Sequence, residues 1–156
     1  HVTKANGTIA VIETQTLVYR EAAAPDAPLS PPPPGEGSFD PSDWDAQRTL
    51  TPDARLLFRY SALTFNGHRI HYDAPYARAE EGYPGLVVHG PLQATLLLQF
   101  AEALRGKRPA QIGFRGLSPL FDTAGLTLHA QDEANTLRLW TAAEGGPVAM
   151  EARAEW

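Results

Sequence analysis

One stretch limits what this chain can fold into more than any other: "GPLQATLLLQFAEALRG", residues 90 to 106. Glycine followed by proline marks a helix start, because proline's missing N–H falls where a helix has amides to spare. From Pro91 to Leu104 the side chains are apolar nearly all round, with Leu92, Leu96, Leu97, Phe100 and Leu104 leaving no wide polar stripe. A helix of this kind is expected to be buried, with almost no exposed residue. Gly106 ends it, and Arg105 and Lys107 sit where positive charge suits the helix dipole. Downstream lie four β-rich runs, "AQIGFRGLSPLF", "GLTLHAQ", "NTLRLWTAAE" and "PVAMEARAEW", separated by "DTAG", "DEA" and "GGP". Those separators favour antiparallel hairpins, and alternation is clear in Leu137, Leu139 and Thr141 and in Val148, Met150 and Ala152. The expected fold class is α+β: one long central helix wrapped by an antiparallel meander.

At 156 residues, 43% of them hydrophobic, the chain has room for one domain with a real core plus an appendage. The appendage lies at the front. Residues 7 to 20, "GTIAVIETQTLVYR", read as a strand without a domain of its own. Residues 21 to 43 contain four consecutive prolines among Ala, Gly and Ser, and read as an extended, semi-rigid linker. The self-sufficient unit begins at about residue 44. Within it, "LTPDARLLFRYSAL" offers Thr51 as N-cap, Pro52 at the first helical position and Asp53 in the first turn, with Leu56, Tyr60 and Leu63 at helical spacing.

Composition excludes several functions. The net charge is −5 and the basic residues are scattered, so no nucleic-acid footprint is present. No cysteine is present, which removes disulfides, thiolate catalysis and cysteine-ligated zinc together. No run approaches a membrane span, and a cytoplasmic location is expected. Because the chain starts at His1 and not at methionine, the lack of a targeting segment weighs little.

Two of the five histidines fall in "LTFNGHRIHYD", residues 63 to 73, directly after the first helical pattern. His68 and His71 are either solvated loop residues or groups that face a pocket and move a proton. A metal site is disfavoured, since no third ligand stands at a recognisable spacing. His89 and Gly90 precede the central helix. Gly90 is either a simple cap or the residue whose amide, at the positive end of the helix, meets a developing oxyanion. An oxyanion donor beside an imidazole describes acid–base chemistry next to a carbonyl.

Those same residues carry a resemblance. "FRYSALTFNGHRIHYDAPYA" together with "EGYPGLVVHGPLQATLLLQFA" resembles the MaoC-like enoyl-thioester hydratase/dehydratase family, in its itaconyl-CoA/mesaconyl-CoA hydratase branch. The family pattern Asp-x-Asn-Pro-x-His-x-Asp starts on Asn66 and places its histidine on His71 and its last aspartate on Asp73. The Val-Ala-His-Gly before the central helix falls on Val87, Val88, His89 and Gly90. The resemblance implies a hot-dog fold, a long helix rolled in an antiparallel sheet, and reversible hydration of an enoyl thioester. It also implies that His71 handles the proton and that the Gly90 amide stabilises the oxyanion. Asn66 stands where the general pattern has its catalytic aspartate, and an amide cannot serve as a base. The expected role of Asn66 is therefore to orient water or hydroxyl, with His68 as a second titrating candidate.

The expected substrate contacts are His89, Tyr72, Arg59 and Arg69, with an arginine (Arg59, Arg69 or Arg78) available to a distal carboxylate. Coenzyme A enters as part of the substrate, and no cofactor or metal is expected. The resemblance further implies that "GTIAVIETQTLVYREA", within residues 1–22, is the closing strand of a truncated N-terminal hot-dog repeat, with 23–43 the linker and 44–156 the hydratase domain. The partner expected is a second hot-dog unit, supplied by the missing N-terminal half or by a second chain in a homo-oligomer; neither nucleic acid nor membrane is expected. Two other readings remain, a thioesterase on the same fold and a non-catalytic interaction subunit.

Overall fold

The computed structural model describes residues 1–18, 27–38, 40 and 42–156. Its first elements are short: β1 (Val2–Thr3) pairs antiparallel with β2 (Ile9–Val11). The turn between them is built by Asn6, whose side chain accepts the Thr8 amide, and by Gly7 at φ 81°. An Asn-Gly pair favours such a tight reversal. The single strand expected over 7–20 is therefore corrected in part. Only Ile9–Val11 is strand, its neighbour is the chain's own residues 2–3, and residues 12–18 carry no regular structure. Tyr19 and Arg20 lie outside the described residues, as do positions 21–26, 39 and 41 of the expected linker.

The linker residues that are described are not a free spacer. The Gly35 amide donates to the Leu117 carbonyl (2.7 Å), and the Ser38 amide and hydroxyl both donate to Glu151 Oε2 (2.8 and 2.9 Å). Trp44 packs against His129 at 5.9 Å, the Asp45 amide donates to Ala130 O, and Asp45 Oδ2 accepts the Asp132 amide (2.7 Å). Trp140, whose neighbours Leu139 and Thr141 face the core, is fully buried and stacks on His129 at 5.2 Å.

The chain then enters β3 (Ala46–Leu50), α1 (Ala54–Thr64), a 3-10 turn at Arg69–His71, α2 (Ala74–Ala79) and α3 (Gly90–Arg105). It closes with β4 (Gln111–Gly116), β5 (Leu126–Glu133), β6 (Thr136–Ala143) and β7 (Val148–Glu155). The sheet order is β3-β5-β6-β7-β4, antiparallel throughout. So only β5 to β7 form the meander expected of the four downstream runs; β4, the first of those runs, pairs with β7 at the far edge, and β3 adds to the near one. The mostly polar "AQRTL" of β3 shows no apolar alternation, which is why the sequence does not announce it.

Leu92, Leu97, Phe100 and Ala101 of α3 pack on Leu126, Leu128, Leu137, Leu139, Met150, Ala152 and Ala154 of the sheet. This long helix on an antiparallel sheet is the hot-dog arrangement, in the α+β class. One expectation about α3 is corrected. Pro91, Thr95, Gln99 and Ala103, spaced four apart, form an exposed stripe, and Leu104 is also exposed. The sheet covers one side of the helix, and among the described residues this stripe is left exposed. Among the described residues, no helix is long and apolar enough to cross a membrane.

Candidate active site

Local chemistry brings the two histidine segments together. The N-cap of α1 is Asp53, not Thr51: its Oδ1 accepts the Leu56 amide (2.8 Å), while Pro52 is buried ahead of the helix. Carboxylate beats hydroxyl here because it also complements the helix dipole. The core face of α1 runs through Leu57 and Ser61, and Leu63 points outward. The helix stops at Phe65, which adopts φ 54°, and the Asn66 amide folds back to the Ser61 carbonyl (2.9 Å). Asn66 Oδ1 then accepts the His68 amide (3.0 Å) and shapes the turn into Arg69–His71. Asp73 caps α2 by accepting the Tyr76 amide, and it also holds the Arg69 guanidinium (2.9 Å).

The result is a buried pair of imidazoles. His71 and His89 stack at 3.8 Å with 15° between their planes, and His68 meets His71 edge-on at 5.6 Å. Val87 clasps the His71 segment twice: its amide donates to Ile70 O (2.9 Å), and its carbonyl accepts from His71 Nδ1 (2.7 Å). A carbonyl only accepts, so Nδ1 carries the proton and the neutral ring keeps its lone pair on Nε2. Burial pushes the His71 pKa down; the Val87 bond works against this, and the neighbouring His68 adds to it. His71 is therefore a free base at neutral pH with its basic nitrogen fixed.

His89 is 1% exposed and is the N-cap residue of α3. Desolvation, followed by repulsion from His71, lowers its pKa to about 4. Tyr60 meets its ring edge-on at 4.9 Å, and Ser61 Oγ lies 2.8 Å from its Nε2. The His89 side chain makes no capping bond, which leaves the first amides of α3 open. A methyl at Gly90 would lie 3.9 Å from Met150 Cε, an ordinary contact, so packing within the chain does not demand a glycine there. Deeper in, Thr141 donates to Gln93 Oε1, and both side chains are buried.

The other candidate residues are placed differently. Tyr72 is 40% exposed and its hydroxyl donates to Gly67 O. Arg69 lies 4.0 Å above the Tyr76 ring while paired to Asp73, and Arg59 is exposed on α1. Arg78 donates to Pro84 O. Arg105, at the end of α3, binds Asp132 and the Ala134 carbonyl. Sequence reasoning missed Ser61. Its one available signal was a serine four residues after Leu57, on the face that packs inward. Among the described residues, no group of three or more His, Asp or Glu is gathered as a metal site.

With that geometry in hand, three comparisons bear on the chain. The family described as hydroxyacyl-thioester dehydratase type 2 matches residues 1–122. A mesaconyl-C(4)-CoA hydratase of Chloroflexus aurantiacus is 46% identical over 147 residues, covering 94% of this chain and 51% of that protein. A mitochondrial hydroxyacyl-thioester dehydratase type 2 of Schizosaccharomyces pombe is 39% identical over 94 residues, covering 58% of this chain and 30% of that protein. The chain thus spans about half the length, or less, of these curated relatives. Among solved structures, an (R)-hydratase from A. caviae involved in PHA biosynthesis superposes with a TM-score of 0.62 at 19% identity, over 76% of this chain and 96% of its own. At that identity the match speaks for the fold.

Proposed function

The chain belongs to the hydroxyacyl-thioester dehydratase type 2 family, and on that premise we propose that it catalyses reversible hydration of an enoyl thioester to the β-hydroxyacyl thioester. The observation that carries this reading is the His71 Nδ1–H bond to Val87 O, which leaves a neutral Nε2 as base within a residue's stack of an uncapped helix N-terminus. Nε2 takes a proton from water as the water oxygen bonds to the substrate β-carbon. The electron pair moves onto the thioester oxygen, where the Gly90 amide and the positive helix end meet it. The proton then goes to the α-carbon, which restores the thioester and the free imidazole. Asn66 contributes its side-chain amide to hold water or hydroxyl, since its Oδ1 is already engaged by the His68 amide.

Positioned acid–base groups supply about 10²- to 10⁴-fold and an oxyanion donor about 10²- to 10³-fold. Those two contributions are enough for this reaction without a metal or organic cofactor, so a chelator should leave turnover unchanged. The relative from Chloroflexus, a mesaconyl-C(4)-CoA hydratase, supports a branched five-carbon dicarboxylic acyl group, mesaconyl or the isomeric itaconyl, carried on coenzyme A. The functional unit includes a second hot-dog unit set against the exposed stripe of α3, and residues before the linker belong to the closing part of a preceding repeat. The test is loss of enone absorbance from mesaconyl-, itaconyl- and crotonyl-CoA on adding the protein. Free thiol appearing with no β-hydroxyacyl product would mean a thioesterase, and no change with any of the three would remove the enzymatic reading.

A further inference from the structure

Ser61 stands out because it is a polar side chain at a core-facing helical position and because it touches both halves of the site. Its carbonyl accepts the Asn66 amide (2.9 Å), and its hydroxyl lies 2.8 Å from His89 Nε2. Both side chains are buried, at 5% and 1% exposure. The other ring nitrogen of His89, Nδ1, has no hydrogen-bond partner among the described residues. His89 therefore has a single polar anchor. Without it, a fully buried imidazole would have neither nitrogen bonded, which drives a ring to rotate or to admit water. The plane of that ring is what His71 stacks on.

We propose that Ser61 is a positioning residue: by holding His89 through Nε2, it fixes the platform against which His71 is stacked and desolvated, and so sets the basicity of the proton-transferring imidazole. The chain of contact is Ser61 Oγ to His89, then the His89 face to the His71 face, then His71 Nδ1 to Val87. Burial is the leading cause that depresses His71. A His89 ring freed from Ser61 would uncover one face of His71 and let its pKa climb back towards the ordinary imidazole value. Ser61 itself lies in α1 and is not required to touch substrate for this effect. The inference rests on the hydratase reading above for its consequence in turnover, but the coupling between the two rings can be read without turnover.

The experiment compares wild type, Ser61→Ala and Ser61→Thr. Imidazole ¹⁵N and ¹H resonances of His71 and His89 are followed by NMR against pH, and kcat and KM for mesaconyl- or crotonyl-CoA are followed over the same range. Expected for Ser61→Ala are an altered ¹⁵N signature of His89, a higher pKa for His71, a fall in kcat of about tenfold or more with KM changed far less, and an acid limb of kcat displaced to higher pH. Ser61→Thr, which keeps the hydroxyl, should restore the His89 signature and the wild-type limb. Should Ser61→Ala fold poorly, the Ser61→Cys variant, with a thiol that bonds only weakly, serves in its place. If wild type shows no hydration yet the two rings shift together as described, the hydratase reading fails and the positioning role stands. Unchanged His71 titration and unchanged kcat profile in a folded Ser61→Ala protein overturn the proposal.

Discussion

His89 reports on the fold through its charge. Its folded pKa, about 4, lies below the value near 6.5 of an unfolded histidine. Between those two values the unfolded chain binds a proton that the fold refuses, so the contribution of His89 is complete above about pH 6.5 and is lost as pH falls towards 4. His71 and His129, both lowered by burial, act in the same direction. Urea midpoints should therefore decline from about pH 7 to pH 5, before most carboxylates titrate, with His89 contributing up to about 3 kcal/mol across its full window. His89→Gln should flatten that slope. The proton-transfer role proposed for His71 predicts that His71→Ala lowers kcat at least about 10²-fold with KM little moved, the pattern of a contact made chiefly in the transition state. Near-normal turnover in that variant would return the histidines to a structural role. At this scale the motif residues His71, His89 and Gly90 were legible because their spacing is tied to a helix end and a helix start. Ser61 was not, because nothing in a one-dimensional pattern says that the residue opposite a buried serine is an imidazole from a segment 28 positions away.

α1 shows how an element can serve a site through both of its ends. Asp53 holds its start, and Tyr60 and Ser61, near its end, hold His89. Asp53→Ala should lower the urea midpoint by removing the cap, and Asp53→Asn should lower it much less. The sequence located this helix but misjudged its cap; of Leu56, Tyr60 and Leu63, the first two are half-buried against the core and only Leu63 points outward, while Leu57 and Ser61 are the fully buried positions. How deeply each of two overlapping stripes is buried is decided by what packs against it. The same holds for α3, whose length and ends were legible while its exposed stripe was not. Thr95 and Gln99 look apolar-neighboured in sequence, but lie on the side the sheet does not cover. If that stripe is covered by a second hot-dog unit, Thr95→Arg should shift sedimentation to a smaller species and reduce turnover. An unchanged sedimentation coefficient with full activity would show the stripe to be plain solvent-facing surface.

At the scale of the whole molecule, the order of secondary structure was largely legible because one apolar helix followed by turn-punctuated strands has few ways to bury itself. What stayed hidden was the attachment of the linker. A run of prolines reads as a spacer by composition, yet Gly35 and Ser38 within the linker are bonded to Leu117 and Glu151. Ser38→Ala removes one of the two hydrogen bonds into the Glu151 carboxylate and should cost about 1 kcal/mol, whereas Glu151→Ala should cost more by vacating a buried position.

That attachment decides where the chain can be cut. An excision just after Asp43 would follow the composition boundary, but it would take away Ser38 and leave the Glu151 carboxylate with neither of its two donors. A fragment beginning a few residues ahead of Gly35 keeps every one of these ties. The shorter fragment is the one expected to bind a hydrophobic dye and to be nicked early by protease. For anyone grafting this module onto another protein, the prolines belong to the graft and not to the tether.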